Sequence, residues 1–453
     1  MSHQEIIHST TSLQPNVEQW RESVAHVLAI AKAKGATAAE VATSISSGFS
    51  VDIRMGEVET IEHNRDKGIG ITVYFDQRKG SASTSDTSEE AIAATVEAAC
   101  HIAQFTSEDQ FSGLAPAELM ALHYPDLSLN HPWSITVAQA IELAKQCEQV
   151  GMSCDKRITN SEGASVATYQ QFYIYGNSHG FIGDYASTQH HINCMLIAKE
   201  GGNMQRDYSY SVARDYQDLE NVNTIGRKAA ARTVRRLNAK RLSTRQAPVI
   251  FEAEIASGLL SCFIQAISGG NLYRKSSFLL DHLGQQIFPD FINIHEDPHV
   301  LKAKGSAPFD GEGVITRPRD LVTKGILNGY VLSSYSARKL GMQTTGNAGG
   351  IHNLYINTSD MDLDALLKKM DTGFLVTELL GHGVNIVTGD YSRGASGFWV
   401  EKGVIQYPVE EITIAGNLRD MFKNLVAIGN DVDRRHVICT GSILLDHMTI
   451  AGE

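Results

Sequence analysis

The sequence predicts an α+β fold: two N-terminal units that each run helix, strand meander, helix, then a larger mixed α+β C-terminal domain. Three observations lead there. At 453 residues the chain is too long for one ordinary core. Apolar residues recur at helical spacing in some blocks and cluster in short strand-like runs in others. These blocks intermingle without the regular alternation that builds a parallel sheet. The expected divisions are a loose tail over 1–15, a first unit over 16–115, a second over 116–246 and a C-terminal domain over 247–453.

The first helix is expected over Asn16–Lys34, where Val17, Trp20, Val24, Val27, Leu28 and Ala31 share a face and Gly35 can end it. Strands follow at 40–46, 50–55, 58–63, 70–75 and 79–85, with Met55-Gly56-Glu57 as a hairpin signal. Thr87-Ser88-Glu89-Glu90 matches a capping box and opens a helix to about Phe105. The connector 116–134 contains Pro and His and has little periodicity. A third helix covers 137–154. Strands at 163–168, 171–175, 181–188, 191–199 and 207–213 surround a turn at Asn177–Gly180, and a helix over 219–237 closes the second unit. The order repeats the first unit, although the residues match weakly.

In the last domain a helix over 255–267 stops at Gly269-Gly270. Residues 300–358 mix glycine turns with short strands, and 362–370 is a short helix. Residues 398–407 read as a hairpin turning at Glu401-Lys402-Gly403, and 411–415 as a strand. A helix capped by Asn417 carries Leu418, Met421, Phe422, Leu425 and Val426 up to Gly429, and 443–445 is a last strand.

The composition limits the function. A net charge of -12 disfavours a partner bound by phosphate neutralisation, so no direct nucleic-acid role is expected. The basic run of Arg227, Lys228, Arg232, Arg235, Arg236, Lys240, Arg241 and Arg245 reads either as a nucleic-acid patch or as a solvated helix face at a domain junction, and the acidic total favours the second. No apolar run is long enough to span a bilayer, and residues 1–15 lack the apolar centre of a signal peptide. Six scattered cysteines without a C-x-x-C pair fit reduced thiols in a cytoplasmic protein.

Glu378–Pro408 is the most distinctive stretch. Six glycines punctuate two short apolar runs, Val384–Val387 and Phe398–Val400, both of strand composition. His382, Asn385, Asp390 and Arg393 lie at the bends. They could line a peptide-binding groove, or could bond their own backbone in tight turns. His295-Glu296-Asp297-Pro298-His299 satisfies the zinc-peptidase pattern H-E-x-x-H. That pattern needs both histidines on one helix face, and Pro298 works against a helix there, so the match reads as chance in a loop. His190 and His191 point to opposite faces of any strand. Cys439 reads as a buried structural thiol.

Four segments resemble the TldD/PmbA family: Gly56–Glu59, Gly68–Tyr74, Arg78–Ser83 and above all Thr388–Val400. Further runs lie at 273–280, 334–341, 349–353 and 412–418. Within the family the sequence resembles the PmbA branch, also called TldE, over nearly the whole chain. The resemblance implies a PmbA/TldD-like fold and a cytoplasmic protein acting in proteolysis. It also implies a heterodimer with a TldD-like metallopeptidase subunit that cleaves short or unfolded polypeptides, among them a microcin precursor and an antitoxin. An older family label is modulator of DNA gyrase.

The TldD branch carries zinc on H-E-x-x-x-H plus a cysteine near the C-terminus. Placed without gaps, Glu252 and Ser257 stand where the two histidines would be, Ala253 replaces the general base, and Cys439 is one residue off. The expectation is therefore no metal site and no cofactor in this chain, with zinc in the partner. Substrate contact is expected from His382, Asn385, Asp390, Arg393, His352 and Asn353, and a homodimer is possible when the chain is alone. The rival is a regulatory or binding protein without a peptidase role. A third reading, a metallopeptidase with an unfamiliar site, stays open.

Overall fold

The computed structural model describes residues 16–452, so the predicted tail lies outside the described residues. The first unit runs α1 (Val17–Ala33), β1 (Ala38–Arg54), β2 (Glu57–Phe75), β3 (Arg78–Thr84) and α2 (Glu89–Phe105). The second runs α3 (Val137–Ser153), β4 (Ile158–Asn177), β5 (Ile182–Glu200), β6 (Asn203–Ala213) and α4 (Val222–Arg235). The class is α+β, as the sequence predicts.

The two meanders form a single antiparallel sheet of order β3-β2-β1-β4-β5-β6. Its seam is β1 against β4, in register from Glu40↔Asn177 to Ile53↔Ala164. Side chains alternate across a strand. Odd residues of β1 (Val41, Ile45, Phe49, Val51, Ile53) and even residues of β4 (Val166, Phe172, Ile174) are buried in two cores filled by the four helices. The opposite face carries Tyr173, Tyr175 and Tyr185 and meets the C-terminal domain.

Several strands are longer than predicted. β1 and β2 each run on through the stretches that the sequence reads as breaks, 47–49 and 64–69. Backbone pairing of β1 with β2 carries both through, although much of β2 stays exposed. The predicted hairpin turn is present, with Met55 and Gly56 both at positive φ (52° and 79°), as a tight two-residue hairpin turn requires. The buried Glu148 carboxylate accepts both of their N–H groups, at 2.9 and 2.7 Å. The cap of α2 is Ser88, not Thr87, and its hydroxyl accepts from the Ala91 N–H.

The C-terminal domain opens with β7 (Arg245–Phe251), α5 (Ala253–Ala266), α6 (Gly269–Tyr273), β8 (Ile294–Asp297), β9 (Arg319–Thr323), β10 (Ile326–Leu327), α7 (Ser334–Lys339) and β11 (Asn353–Ile356). It continues with α8 (Leu363–Met370), β12 (Gly373–Leu380), β13 (Asp390–Glu401), β14 (Val404–Asn417), α9 (Leu418–Lys423), β15 (Leu425–Ile428), β16 (Ile438–Cys439) and β17 (Ile443–Ala451). One sheet has the order β14-β13-β12-β7-β17-β15, and pairing of β14 with β17 closes five of its strands into a ring. A second sheet has the order β10-β9-β8-β11-β16. Helix α5 packs its Leu259, Leu260 and Phe263 into the largest core, between the two sheets.

The predicted helix beyond Asn417 is corrected here. It ends at Lys423, and Leu425–Ile428 is a strand on β17. Leu425 and Val426 continue a helical spacing, but pairing with Ile443–Leu445 prevails. The hairpin at Lys402-Gly403 is present, both residues at positive φ.

Two contacts fix the domain on the sheet. Phe309 sits among Tyr124, Tyr173, Phe181 and Tyr185, with ring centroids 5.2–6.4 Å apart. The Arg338 guanidinium donates to the carbonyls of Phe111, Gly113 and Leu114 at 2.7–3.0 Å.

His190 and His191 do point to opposite faces. His190 is fully buried between Thr168 Oγ1 and the His131 carbonyl, both at 2.9 Å, with Trp133 edge-on. Burial holds its imidazole below the ordinary histidine range, so the folded protein keeps it neutral. The unfolded chain takes up that proton near pH ~6.5. Stability is therefore full above that pH and declines as pH falls below it. Urea midpoints measured at pH 7.5 and 5.5 should drop at the lower pH, and a H190Q variant should drop less. An equal drop in both would dissociate His190 from the effect.

Candidate functional site

The clearest concave region lies between the tyrosine-bearing sheet face and the C-terminal domain. A cavity of about 580 Å³ has Gln171, Tyr173, Tyr185 and Ser187 on its sheet side and residues 304–311 and 348–352 opposite. A second, of about 490 Å³, reaches from β6 to Asn353, His436 and Cys439. Both are lined by Gln189, Arg214 and Lys304, which join them into one cleft.

His352 and Asn353 belong to this cleft, one in each cavity. The His352 ring lies between two carbonyls, Nε2 3.0 Å from Gly346 and Nδ1 3.3 Å from Gly305. The Asn353 amide donates to the Asp297 carbonyl and Ser306 Oγ, both at 2.8 Å, and its oxygen accepts the Gly305 N–H. Asn353 thus holds the loop that bears Lys304.

His382, Asn385, Asp390 and Arg393 line neither cavity. Residues 381–389 are an exposed connection between β12 and β13. The predicted strand at Val384–Val387 is a turn with one bridge, Val384 to Tyr391. Asn385 Oδ1 accepts the Val387 N–H at 2.9 Å, and Asp390 accepts from Thr388 Oγ1 and Asn417 Nδ2. Asx-type bonding outcompetes the strand propensity of so short a run. His382 is exposed. Arg393 lies on β13 near Tyr391 and Cys262, with a buried Nε that has no partner. The same stretch explains one glycine: a Cβ on Gly397 would lie 1.9 Å from the Leu375 carbonyl oxygen.

The H-E-x-x-H match is a strand followed by a turn, rather than the predicted loop, because β8 pairs with β9 and β11. His295 faces out to Asp320, and His299 meets Thr316 Oγ1. Glu296 points the other way and is buried. Its carboxylate takes Arg319 Nε at 2.7 Å, Asn347 Nδ2 at 2.8 Å and the His352 N–H at 2.7 Å.

The basic end of α4 is not solvated. Arg227 and Lys228 are exposed, but Arg232, Arg235 and Arg236 turn into the junction with the start of α5. Arg232 pairs with Glu254 and, at 3.4 Å, with Asp207. Arg235 lies 3.6 Å from Glu252 and over the Phe398 ring, and Arg236 pairs with Glu378. Arg435 joins from the other side, 3.5 Å from Glu254 and 2.8 Å from Asp433. The spacing of the arginines was visible in the sequence. Their pairing with carboxylates from β6, the start of α5 and β12 is set by tertiary packing and was not.

This junction does not suit zinc. A structural or catalytic zinc needs three or four deprotonated ligands in tetrahedral disposition. Glu252 and Glu254 face guanidinium groups that would repel a dication, and Ser257 offers only a hydroxyl. Burial pushes the Cys439 thiol up to about 11, away from the thiolate a metal requires. Among the described residues no group of three or more His, Cys, Asp or Glu is arranged to hold a metal.

Comparison with known proteins agrees with this architecture. Family models for PmbA/TldA metallopeptidases match as domain 1 over residues 39–103, the central domain over 130–237 and the C-terminal domain over 244–452. The chain is 52% identical to Metalloprotease PmbA of Escherichia coli O157:H7, covering 95% of this chain and 96% of that one. It is 50% identical to the Metalloprotease PmbA homolog of Haemophilus influenzae, with 98% of each covered. A Buchnera aphidicola TldD homolog is 20% identical over 391 residues. A crystal structure from Bacteroides thetaiotaomicron, described as a modulator of DNA gyrase, superposes with a TM-score of 0.91 at 29% identity, covering 96% of this chain and 99% of that one. TldE from Thermococcus kodakarensis, at 21% identity, shares the fold with a TM-score of 0.81 over 95% of this chain and all of that one. The chain belongs to the PmbA/TldD family of metallopeptidases, in its PmbA branch.

Proposed function

We propose that this chain is the substrate-holding subunit of a two-chain zinc peptidase whose metal sits in a TldD-like partner. The observation that carries this is the start of α5. Glu252 and Glu254 are engaged there by arginines of α4 and by Arg435, where a zinc-bearing relative would need free ligands. The cleft supports the second half of the reading. Extended strands and amide and hydroxyl side chains on its sheet side suit a short or unfolded polypeptide. His352 and Asn353 brace the substrate-side wall from within, their polar atoms bonded to the protein, while Asn385 and Asp390 keep an outer turn in shape. No helix among the described residues is long and apolar enough to cross a membrane, and we place the complex in the cytoplasm.

The test is a peptidase assay of this chain, of a TldD-like partner and of their mixture, with zinc measured in each. The mixture should cleave, zinc should track the partner, and this chain alone should neither cleave nor hold stoichiometric zinc. Zinc-dependent cleavage by the isolated chain would overturn the assignment. A stable peptide complex without cleavage, even with the partner present, would favour a purely binding role.

A further inference from the structure

The junction of the two cavities holds cations with no carboxylate against them. Lys304 is half-buried and, among the described residues, forms no ion pair within 4 Å; Asp433 acts on it only through its field. Arg214 spends its donors on carbonyls, Nε to Ala303 at 3.1 Å, Nη1 to Thr188 at 3.3 Å and Nη2 to Lys304 at 2.9 Å. Its hydrogen bonds are satisfied but its charge is not neutralised.

The acids that line either cavity are already committed. Asp310 accepts the N–H groups of Glu312, Val314 and Ala348, all at 2.9 Å. Asp218 pairs with Lys302, and Glu220 with Lys228. Asp433, the acid that acts on Lys304 electrostatically, is held by two nitrogens of Arg435 at 2.8–2.9 Å. Burial, and then Arg214, lower the Lys304 pKa, and burial first, with Lys304 adding to it, lowers those of the neighbouring His191 and His436. In a chain of net charge -12, an uncompensated positive spot at the centre of a cleft calls for an anion.

We infer that Lys304, with Arg214 beside it, receives the C-terminal carboxylate of a peptide lying in the cleft, an assignment that rests on the peptide-holding role proposed above. The walls favour this anion. Tyrosine, serine and glutamine side chains on the face of β4 and β5 flank the position, polar groups over which a peptide can run on from its own terminus. A single flexible ammonium suits a carboxylate that must enter and leave.

Three fluorescent peptides of one sequence test it: a free acid, a C-terminal amide, and an amide with glutamate as the last residue. Binding to the full chain is read by anisotropy. The free acid should bind on the order of tenfold more tightly than the plain amide, the worth of one charge-assisted contact. K304M should remove that difference and K304R should keep part of it. Equal binding of acid and amide by the unaltered chain overturns the inference and leaves the peptide-holding role standing. A glutamate-ended amide that matches the acid overturns the terminal assignment. Failure of all three peptides to bind overturns the peptide-holding role and the inference with it.

Discussion

Glu296→Ala is expected to destabilise the chain by about 3–5 kcal/mol, because it strips a buried charge of its partner. Glu296 is 1% exposed and holds Arg319, Asn347 and the His352 N–H together. Alanine would leave the Arg319 guanidinium and the Asn347 amide facing an apolar gap. The effect reaches the cleft, since residues 347–352 would lose the anchor that sets their path. Glu296→Gln, which can keep acceptors near Asn347 and His352, should lose less. Urea unfolding followed by circular dichroism measures both. A loss below about 1 kcal/mol for the alanine variant would place the pair among weakly contributing surface bridges.

Glu254→Ala should cost less, about 1–3 kcal/mol, because Arg232 and Arg435 lose their shared carboxylate but keep Asp207 and Asp433. Arg232→Ala alone leaves Glu254 with Arg435, and should cost less. The double variant separates the pair from its setting. Its loss should fall short of the sum of the single losses by 0.5–3 kcal/mol, the range for residues in one network. Strict additivity would mean that the two groups act independently. Neither substitution supplies a zinc ligand, so neither should raise the zinc content of the purified chain.

Much of the fold was legible because its signals are local. The cap at Asn417, the turns at Met55-Gly56 and Lys402-Gly403, and the helical faces of α1 and α3 each depend on a few adjacent residues. What failed to read depends on partners distant in sequence. Asn64–Gly68 looks like a loop until β1 lies beside it, and Leu425–Ile428 looks helical until β17 does. The cleft was half visible. His352 and Asn353 lie next to a glycine pair, a local mark. Arg214 and Lys304 are ninety residues apart and have no motif, and their shared position follows only from docking of the C-terminal domain on the sheet. The most recognisable stretch, Thr388–Val400, owes its form to packing within the closed ring of strands. Gly397 has no room for a side chain against Leu375, and Asn385 and Asp390 tie a turn.

The β1–β4 seam has a consequence for how the chain is made. Its fourteen aligned positions join segments more than a hundred residues apart. When β1 leaves the ribosome it can pair with β2, but its other edge must wait for β4. A nascent chain stopped near residue 115 therefore exposes a long open strand edge, a template for pairing with a neighbouring chain. The first helix–meander–helix block is a half-sheet that completes itself only after the second is translated. Such late, long-range closure makes slow folding the default and places the period of greatest aggregation risk during synthesis.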